Sequence, residues 1–218
     1  MDNLEKTLRK IEKLEKEWKY TLSEVEDKQH SFGRVPEDDR EVAFWSVPRS
    51  TGEFLRFMVR FAKSKTILEL GCSAGYSTLF LVDGAKENKG KVYTTEILKA
   101  KIKLAKKHFK ESGLSEYITL IEKDIMEVLK EWEKKNKLDL VFMDADKEKY
   151  IVYLDLLIPL LSEKGIIIVD NAGKVRMVDG RLIDSEHINK FVKKVKSRKD
   201  LNSFFLNIDN GLLLISRR

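Results

Sequence analysis

Two acidic residues close neighbouring apolar runs in this chain: Asp144 ends LDLVFMD and Asp170 ends GIIIVD, with Asn171 directly after it. Runs of that kind read as buried parallel strands, and such sheets bind ligands over the carboxyl ends of their strands. Adjacent strand ends lie roughly 5 Å apart, so three oxygen-bearing side chains converge on one point. Two carboxylates and a carboxamide, without His or Cys, form a hard-oxygen donor set suited to Mg²⁺, Mn²⁺ or Ca²⁺. Without a cation the carboxylates would repel each other and one would tend to protonate. The plain alternative is that both aspartates cap helices. Lys147 follows Asp144 by three positions, one turn into the helix that leaves this point. Beside a divalent cation its ammonium is disfavoured, so its pKa is expected to fall toward the general-base range. Lys149 points elsewhere, and Asp146 and Tyr150 read as packing or surface residues.

A second constellation follows the first strand, in Glu69-Leu70-Gly71-Cys72-Ser73-Ala74-Gly75-Tyr76-Ser77. Gly71 permits a tight turn and Gly75 a close approach at the helix start. The dinucleotide fingerprint is absent, because Ser73 and Tyr76 stand where that motif needs glycine. A pyrophosphate needs more bare backbone. An amino-acid tail with one carboxylate needs less, and Ser77 offers a hydroxyl near free helix N–H groups. An ordinary strand-to-helix turn is the alternative. Glu96 closes the second strand and is placed to accept hydrogen bonds from both hydroxyls of a ribose, or else to cap the next helix. Asp124, after the third strand, is placed either to meet an adenine amino group or to cap a helix. Together these residues point to an adenosine-containing ligand.

The elements that must carry these residues alternate along the chain. Strands are expected at 66–70, 91–96, 117–122, 138–144 and 165–170, with helices at 73–86, 98–111, 124–135, 147–161 and 184–198. Gly113 stands as a left-handed stop for the second of these helices. SFFLNI (203–208) and GLLLIS (211–216), joined by Asp209-Asn210, predict an antiparallel hairpin. Five β-α repeats followed by a hairpin predict an α/β fold, a Rossmann-like doubly wound sheet of seven mostly parallel strands with one reversed. Residues 2 to 28 repeat apolar positions every seven residues (Leu4, Ile11, Trp18, Val25), with Leu8, Leu14 and Leu22 beside them. That amphipathic helix must bury one face on the main domain or on a second subunit. Residues 30–48 read as a polar link ending in an aromatic cluster. The expected organisation is a helical extension and linker over 1–46 and one domain over 47–218.

Composition bounds the class. Hydrophobic residues make up 42% of 218, enough for a core, and 11 Gly with 3 Pro leave little room for disordered linkers. No run approaches the ~18 apolar residues of a membrane span, the N-terminus lacks a signal-peptide stretch, and the lone Cys72 excludes an internal disulfide. A cytoplasmic protein is expected. Forty-two Lys and Arg against 36 Asp and Glu give +6, a modest excess that either attracts polyanions or reflects an ion-pair-rich surface. His30, His108 and His187 show no ligand spacing, and Cys72 reads as a buried small residue.

The segments VPRSTGEFL, ILELGCSAGYSTLFL, VYTTEILKAKIKLAKKHF, LVFMDADKEKY, IIIVDNAG and IDNGLLLISRR together resemble the cation-dependent O-methyltransferases, the group of the catechol and caffeoyl-CoA enzymes, and most of all their bacterial and archaeal branch. The resemblance covers residues 47–218 and implies the class I methyltransferase fold. It implies that Glu69, Gly71, Tyr76 and Ser77 line the methionine moiety of S-adenosylmethionine, with Gly75 in the same turn and Val47 touching it from the preceding loop. Glu96 would hold the ribose, and Asp124 and Ile125 would border the adenine. Asp144, Asp170 and Asn171 would bind the metal, normally Mg²⁺, with Asp144 also close to the donor. Lys147 would deprotonate the acceptor, a small hydroxylated molecule, and relatives that pair imply a homodimer. The segment after Asp170-Asn171 departs from the plant enzymes, which usually carry Trp and Gly there. It is longer and basic, with Lys174, Arg176 and Arg181. Those residues would suit a phosphate, an acidic acceptor or transfer RNA, whose hydroxyuridine some bacterial relatives methylate, or they form a solvated loop. A third reading is a non-catalytic S-adenosylmethionine-binding interaction protein, which would have no need of Asp144, Lys147, Asp170 and Asn171 together.

Overall fold

The computed structural model describes residues 2–23, 44–133, 136–173, 175–176, 182–183 and 185–218, with α1 side chains described to Glu17. Seven strands form one sheet: β1 (Thr66–Leu70), β2 (Lys91–Thr95), β3 (Ile118–Ile121), β4 (Leu138–Met143), β5 (Leu161–Val169), β8 (Leu201–Leu206) and β9 (Leu212–Arg217). Their order is β3-β2-β1-β4-β5-β9-β8. All neighbours are parallel except at β9, which runs antiparallel to both β5 and β8. The expected doubly wound sheet with one reversed strand is therefore what the chain adopts. The strand order reverses between β1 and β4, the crevice where such sheets take their ligands.

Successive strand residues face opposite sides of the sheet, and the core divides accordingly. Ile67, Leu140, Phe142, Ile168 and Leu212 face a layer built from α1 (Asn3–Ser23), α2 (Arg49–Phe61), α3 (Tyr76–Glu87) and α4 (Lys99–Ser112). Leu68, Leu70, Val141, Met143, Ile167 and Val169 face the other layer, from α5 (Ile125–Glu131), α6 (Tyr150–Leu157) and α7 (Glu186–Ser197). Both faces are covered, which is why the central strands are largely apolar, with LVFM in β4 and IIIV in β5. No helix among the described residues is long and apolar enough to cross a membrane.

The helical stripe near the N-terminus finds its partner within the chain. Leu4, Leu8 and Ile11 are buried in the same cluster as Leu79, Phe80 and Phe109. As far as its side chains are described, α1 needs no second subunit to cover its apolar face. Trp18, Leu22 and Val25, and His30 with residues 30–43 of the polar link, lie outside the described side chains. So do those of Lys174, Arg176 and Arg181, although Val175–Arg176 (β6) and Leu182–Ile183 (β7) pair as a two-residue ladder.

Several boundaries differ from expectation. The first crossover helix starts at Tyr76 rather than Ser73, because Ser73 (φ 48°) and Gly75 (φ 86°) hold left-handed backbone that cannot continue into a helix. The helix expected over 147–161 is three pieces: a 3₁₀ turn (Lys147–Lys149), α6, and a second 3₁₀ turn (Ile158–Leu160) around Pro159. Proline lacks the N–H that would extend α6, and β5 begins directly after it, four residues before Gly165. The helix expected over 124–135 stops at Glu131.

Candidate active site

The site is built on the exits of β1, β2, β4 and β5. β1 leaves through Gly71 at φ 97°, and a Cβ there would lie 2.2 Å from the backbone oxygen of Asp144. Only glycine lets the two strand exits touch. The contact is reinforced by the Asp144 N–H donating to the Leu70 carbonyl at 3.1 Å. Gly71 N–H donates to the Thr95 hydroxyl (3.2 Å) and Cys72 N–H to the Thr95 carbonyl (2.8 Å), which ties the turn to the end of β2. Glu96 then accepts from the Ser73 N–H at 2.9 Å and, through its other oxygen, from Ile97 and Leu98 N–H at 2.8 and 3.0 Å. The carboxylate expected to hold a ribose thus also clamps the turn.

Below the turn, Glu69 is fully buried and accepts from three hydroxyls, Ser77 at 2.6 Å, Thr94 at 2.6 Å, and Thr78. Burial pushes its carboxyl up to about 7; the three hydroxyls pull it down, and the charge of Asp144 adds to the rise. The Ser77 hydroxyl is therefore spent inward on Glu69. Tyr76 is buried as well, and its hydroxyl donates to Glu12 of α1 at 2.5 Å. Of the residues implied for the methionine moiety, the Glu69, Tyr76 and Ser77 side chains engage the protein itself, while Gly71 and Gly75 offer backbone. Val47 is buried in the core cluster, and its loop meets the turn where the Ser73 hydroxyl donates to the Phe44 carbonyl. Asp124 caps α5 by accepting from Met126 N–H at 2.8 Å, with Ile125 half-buried beside it against the second core layer. His108 is buried with Nδ1 2.8 Å from the Ala74 carbonyl, a structural contact, as expected.

The other constellation comes together as its spacing implies. Met143 pairs with Val169 in the parallel β4–β5 ladder, so Asp144 and Asp170 leave adjacent strands side by side. Asp170 is 4% exposed, and its carboxyl is pushed well above the usual range, first by burial and then by Asp144. Lys147 Nζ donates to Asp144 Oδ1 at 3.1 Å and to the Ala145 carbonyl at 3.3 Å. Asn171, at φ 55°, donates Nδ2–H to Asp170 at 3.0 Å and accepts from Asn210 Nδ2 at 3.0 Å.

Lys147 does not stand as expected. Burial pulls its ammonium down, but the Tyr150 oxygen and the Asp144 and Asp170 carboxylates outweigh that and hold it above the ordinary lysine range. The expected fall therefore requires something else to neutralise the carboxylates. Tyr150, read from sequence as a packing or surface residue, is part of this site. It is fully buried, and its hydroxyl accepts from Ala145 N–H at 3.0 Å, faces the Met143 carbonyl at 3.3 Å and lies 3.5 Å from Lys147 Nζ. Its place three residues after Lys147 was the available signal. Asp146, by contrast, caps the 3₁₀ turn through Glu148 N–H.

A divalent cation fits this donor set chemically. Two carboxylates at adjacent strand ends, one of them raised by burial and by the charge of the other, suit a hard cation. Among the described residues no three His, Cys, Asp or Glu side chains cluster as a metal site, so the third donor would be the Asn171 carboxamide. Its oxygen faces Asn210, and an amide rotation would turn it to the carboxylates.

Comparison with known proteins gives one consistent answer. The model of the family described as O-methyltransferase matches residues 34–218. The chain is 30% identical over 190 residues to the flavonoid 3',5'-methyltransferase of Vitis vinifera, covering 80% of each protein. It is 29% identical over 141 residues to the catechol O-methyltransferase of Niastella koreensis, covering 64% of this chain and 62% of that one. Among solved structures, the SAH-bound methyltransferase PaMTH1 of Podospora anserina superimposes with a TM-score of 0.75 at 25% identity, covering 100% of this chain and 88% of the other.

Proposed function

Since this chain belongs to the O-methyltransferase family and draws its methyl group from S-adenosylmethionine, we propose that it methylates a hydroxyl of a catechol-like or other vicinal-oxygen small molecule in a divalent-cation-dependent reaction. The observation that carries this reading is the placing of Asp144 beside Asp170 at the ends of β4 and β5, with Lys147 Nζ donating to Asp144 at 3.1 Å. The relatives named for flavonoid and catechol substrates support an aromatic hydroxyl. The donor would lie over Gly71, Gly75, Glu96 and the Val47 loop, with Asp124 and Ile125 at its adenine end.

Asp144, Asp170 and Asn171 would hold the cation, normally Mg²⁺, which when bound supplies charge for an acceptor oxyanion and a fixed point for two vicinal oxygens. Lys147 would take the acceptor's proton: burial favours its neutral form, and a cation held by Asp144 and Asp170 would offset the two carboxylates that oppose it. Tyr150 keeps Nζ and the β4 exit in place. Orientation of acceptor against donor is the other contribution asked of the chain.

The test is transfer of labelled methyl from S-adenosylmethionine to a panel of catechols, coenzyme A thioesters of hydroxylated acids and undermodified transfer RNA, with Mg²⁺ or with a chelator. Label is expected in a vicinal diol, falling more than about tenfold on chelation. Label confined to RNA, with steep salt dependence, would replace the small-molecule reading. Transfer indifferent to the chelator would remove the cation.

A further inference from the structure

Lys101, the third residue of α4, is 3% exposed, and its Nζ lies 4.0 Å from the centroid of the Trp45 ring. No hydrogen bond or ion pair with a described residue engages this ammonium. Burial lowers its pKa, and the groups that pull the other way are Glu96, Asp144 and Cys72. Those three stand at the end of β2, the end of β4 and in the turn after β1. The ring that covers the ammonium follows Phe44, whose carbonyl accepts from the Ser73 hydroxyl, and the Ser73 N–H donates to Glu96 after β2, so the ammonium lies beside the β1 and β2 exits over which the donor is proposed to bind.

Trp45 is held there from both sides. The carbonyl of Phe44 accepts from the Ser73 hydroxyl, and the Ser46 N–H donates to Glu15 of α1 at 3.1 Å. Trp45 itself takes left-handed backbone (φ 45°) and is 49% exposed as a residue. A lysine tail long enough to reach solvent is instead drawn inward beneath an aromatic face.

Donor and product differ in charge at one atom. During transfer the sulfur–methyl bond breaks with its electron pair left on sulfur, and the acceptor oxyanion forms the new bond to carbon. A positive sulfonium becomes a neutral thioether, while amino group, carboxylate, ribose and adenine are unchanged. A fixed ammonium close by opposes the first and is indifferent to the second. We propose that Lys101 is a fixed cation of the donor site that weakens binding of S-adenosylmethionine relative to S-adenosylhomocysteine and so sets the donor-to-product preference. The inference rests on the reading of the β1, β2 and β4 exits as the donor site. Because the repulsion fades as the sulfonium discharges, Lys101 raises the bound donor more than the transition state.

Calorimetric titration of both compounds tests this on the full chain and on Lys101→Met, Lys101→Gln and Lys101→Arg. The two neutral variants are expected to bind S-adenosylmethionine about tenfold more tightly, with S-adenosylhomocysteine changed by less than about threefold. The Arg variant keeps the parent ratio. In turnover, both neutral variants lower KM for the donor and kcat together. Met and Gln differ in polarity, so agreement between them excludes a packing defect. Parallel weakening of both compounds would make Lys101 a ligand of their shared carboxylate or ribose and overturn the proposal, as would an unchanged ratio. If neither compound binds the parent protein, the donor-site reading fails and this inference with it.

Discussion

Lys147→Ala lowers methyl-transfer turnover by more than about 10²-fold, the usual weight of a positioned general base, and leaves the fold intact. The fold survives because the Lys147 side chain is a fifth exposed and packs at a strand exit rather than in either core layer. Asp144→Ala has the same effect on turnover, since Lys147 Nζ loses its 3.1 Å partner and the proposed cation site a carboxylate. Charge alone can be told from proton transfer by Lys147→Arg. A guanidinium restores the positive charge beside Asp144 and Asp170 but gives up no proton at accessible pH. The Arg variant should therefore keep the parent's melting temperature while its turnover falls as in the Ala variant. Turnover within tenfold of the parent in the Ala variant would take Lys147 out of the chemistry.

The second large effect is expected at Gly71. A methyl group there would meet the Asp144 carbonyl oxygen at 2.2 Å, and backbone cannot move aside as a flexible side chain can. The residue also sits at φ 97°, where any side chain is strained. Relief must separate the β1 and β4 exits, breaking the Asp144–Leu70 hydrogen bond and displacing Asp144 from its place beside the end of β5. Gly71→Ala should cost several kcal/mol, a large share of the roughly 5–15 kcal/mol that holds a domain together. Thermal melting and S-adenosylhomocysteine titration read the two consequences: a fall of more than about 10 °C in Tm, and affinity reduced more than about 10²-fold. A variant that melts and binds like the parent would show that the two exits are not locked.

Strand ends were legible because a parallel sheet covered on both faces demands largely apolar strands, and the runs here stop at Gly71, Glu96, Glu122, Asp144 and Asp170. β1 occupies Thr66–Leu70 as its composition implies, and the β4–β5 register follows from LDLVFMD and GIIIVD lying side by side. Helix starts were less legible. Ser73 to Gly75 carry no strong breaker other than glycine, and the left-handed turn there answers to Asp144, Phe109 and Glu96, all distant in sequence. The side-chain directions of Tyr76 and Ser77 depend on Glu12 and Glu69, whose positions only the folded chain defines. The role of Tyr150 is not legible in the sequence, because a tyrosine at the head of an apolar helix reads as packing, and its ring does pack, against Tyr153 and Phe191. Its hydroxyl, reaching back to the β4 exit, is what joins it to the site.

The most direct measurement is calorimetric titration of Mg²⁺ into the protein saturated with S-adenosylhomocysteine, repeated with Asp170→Ala and Asn171→Ala. Uptake of one ion per chain, weakened more than about tenfold by either substitution, is the predicted result. No heat in the parent, or uptake that both variants retain, would contradict a cation held between the ends of β4 and β5.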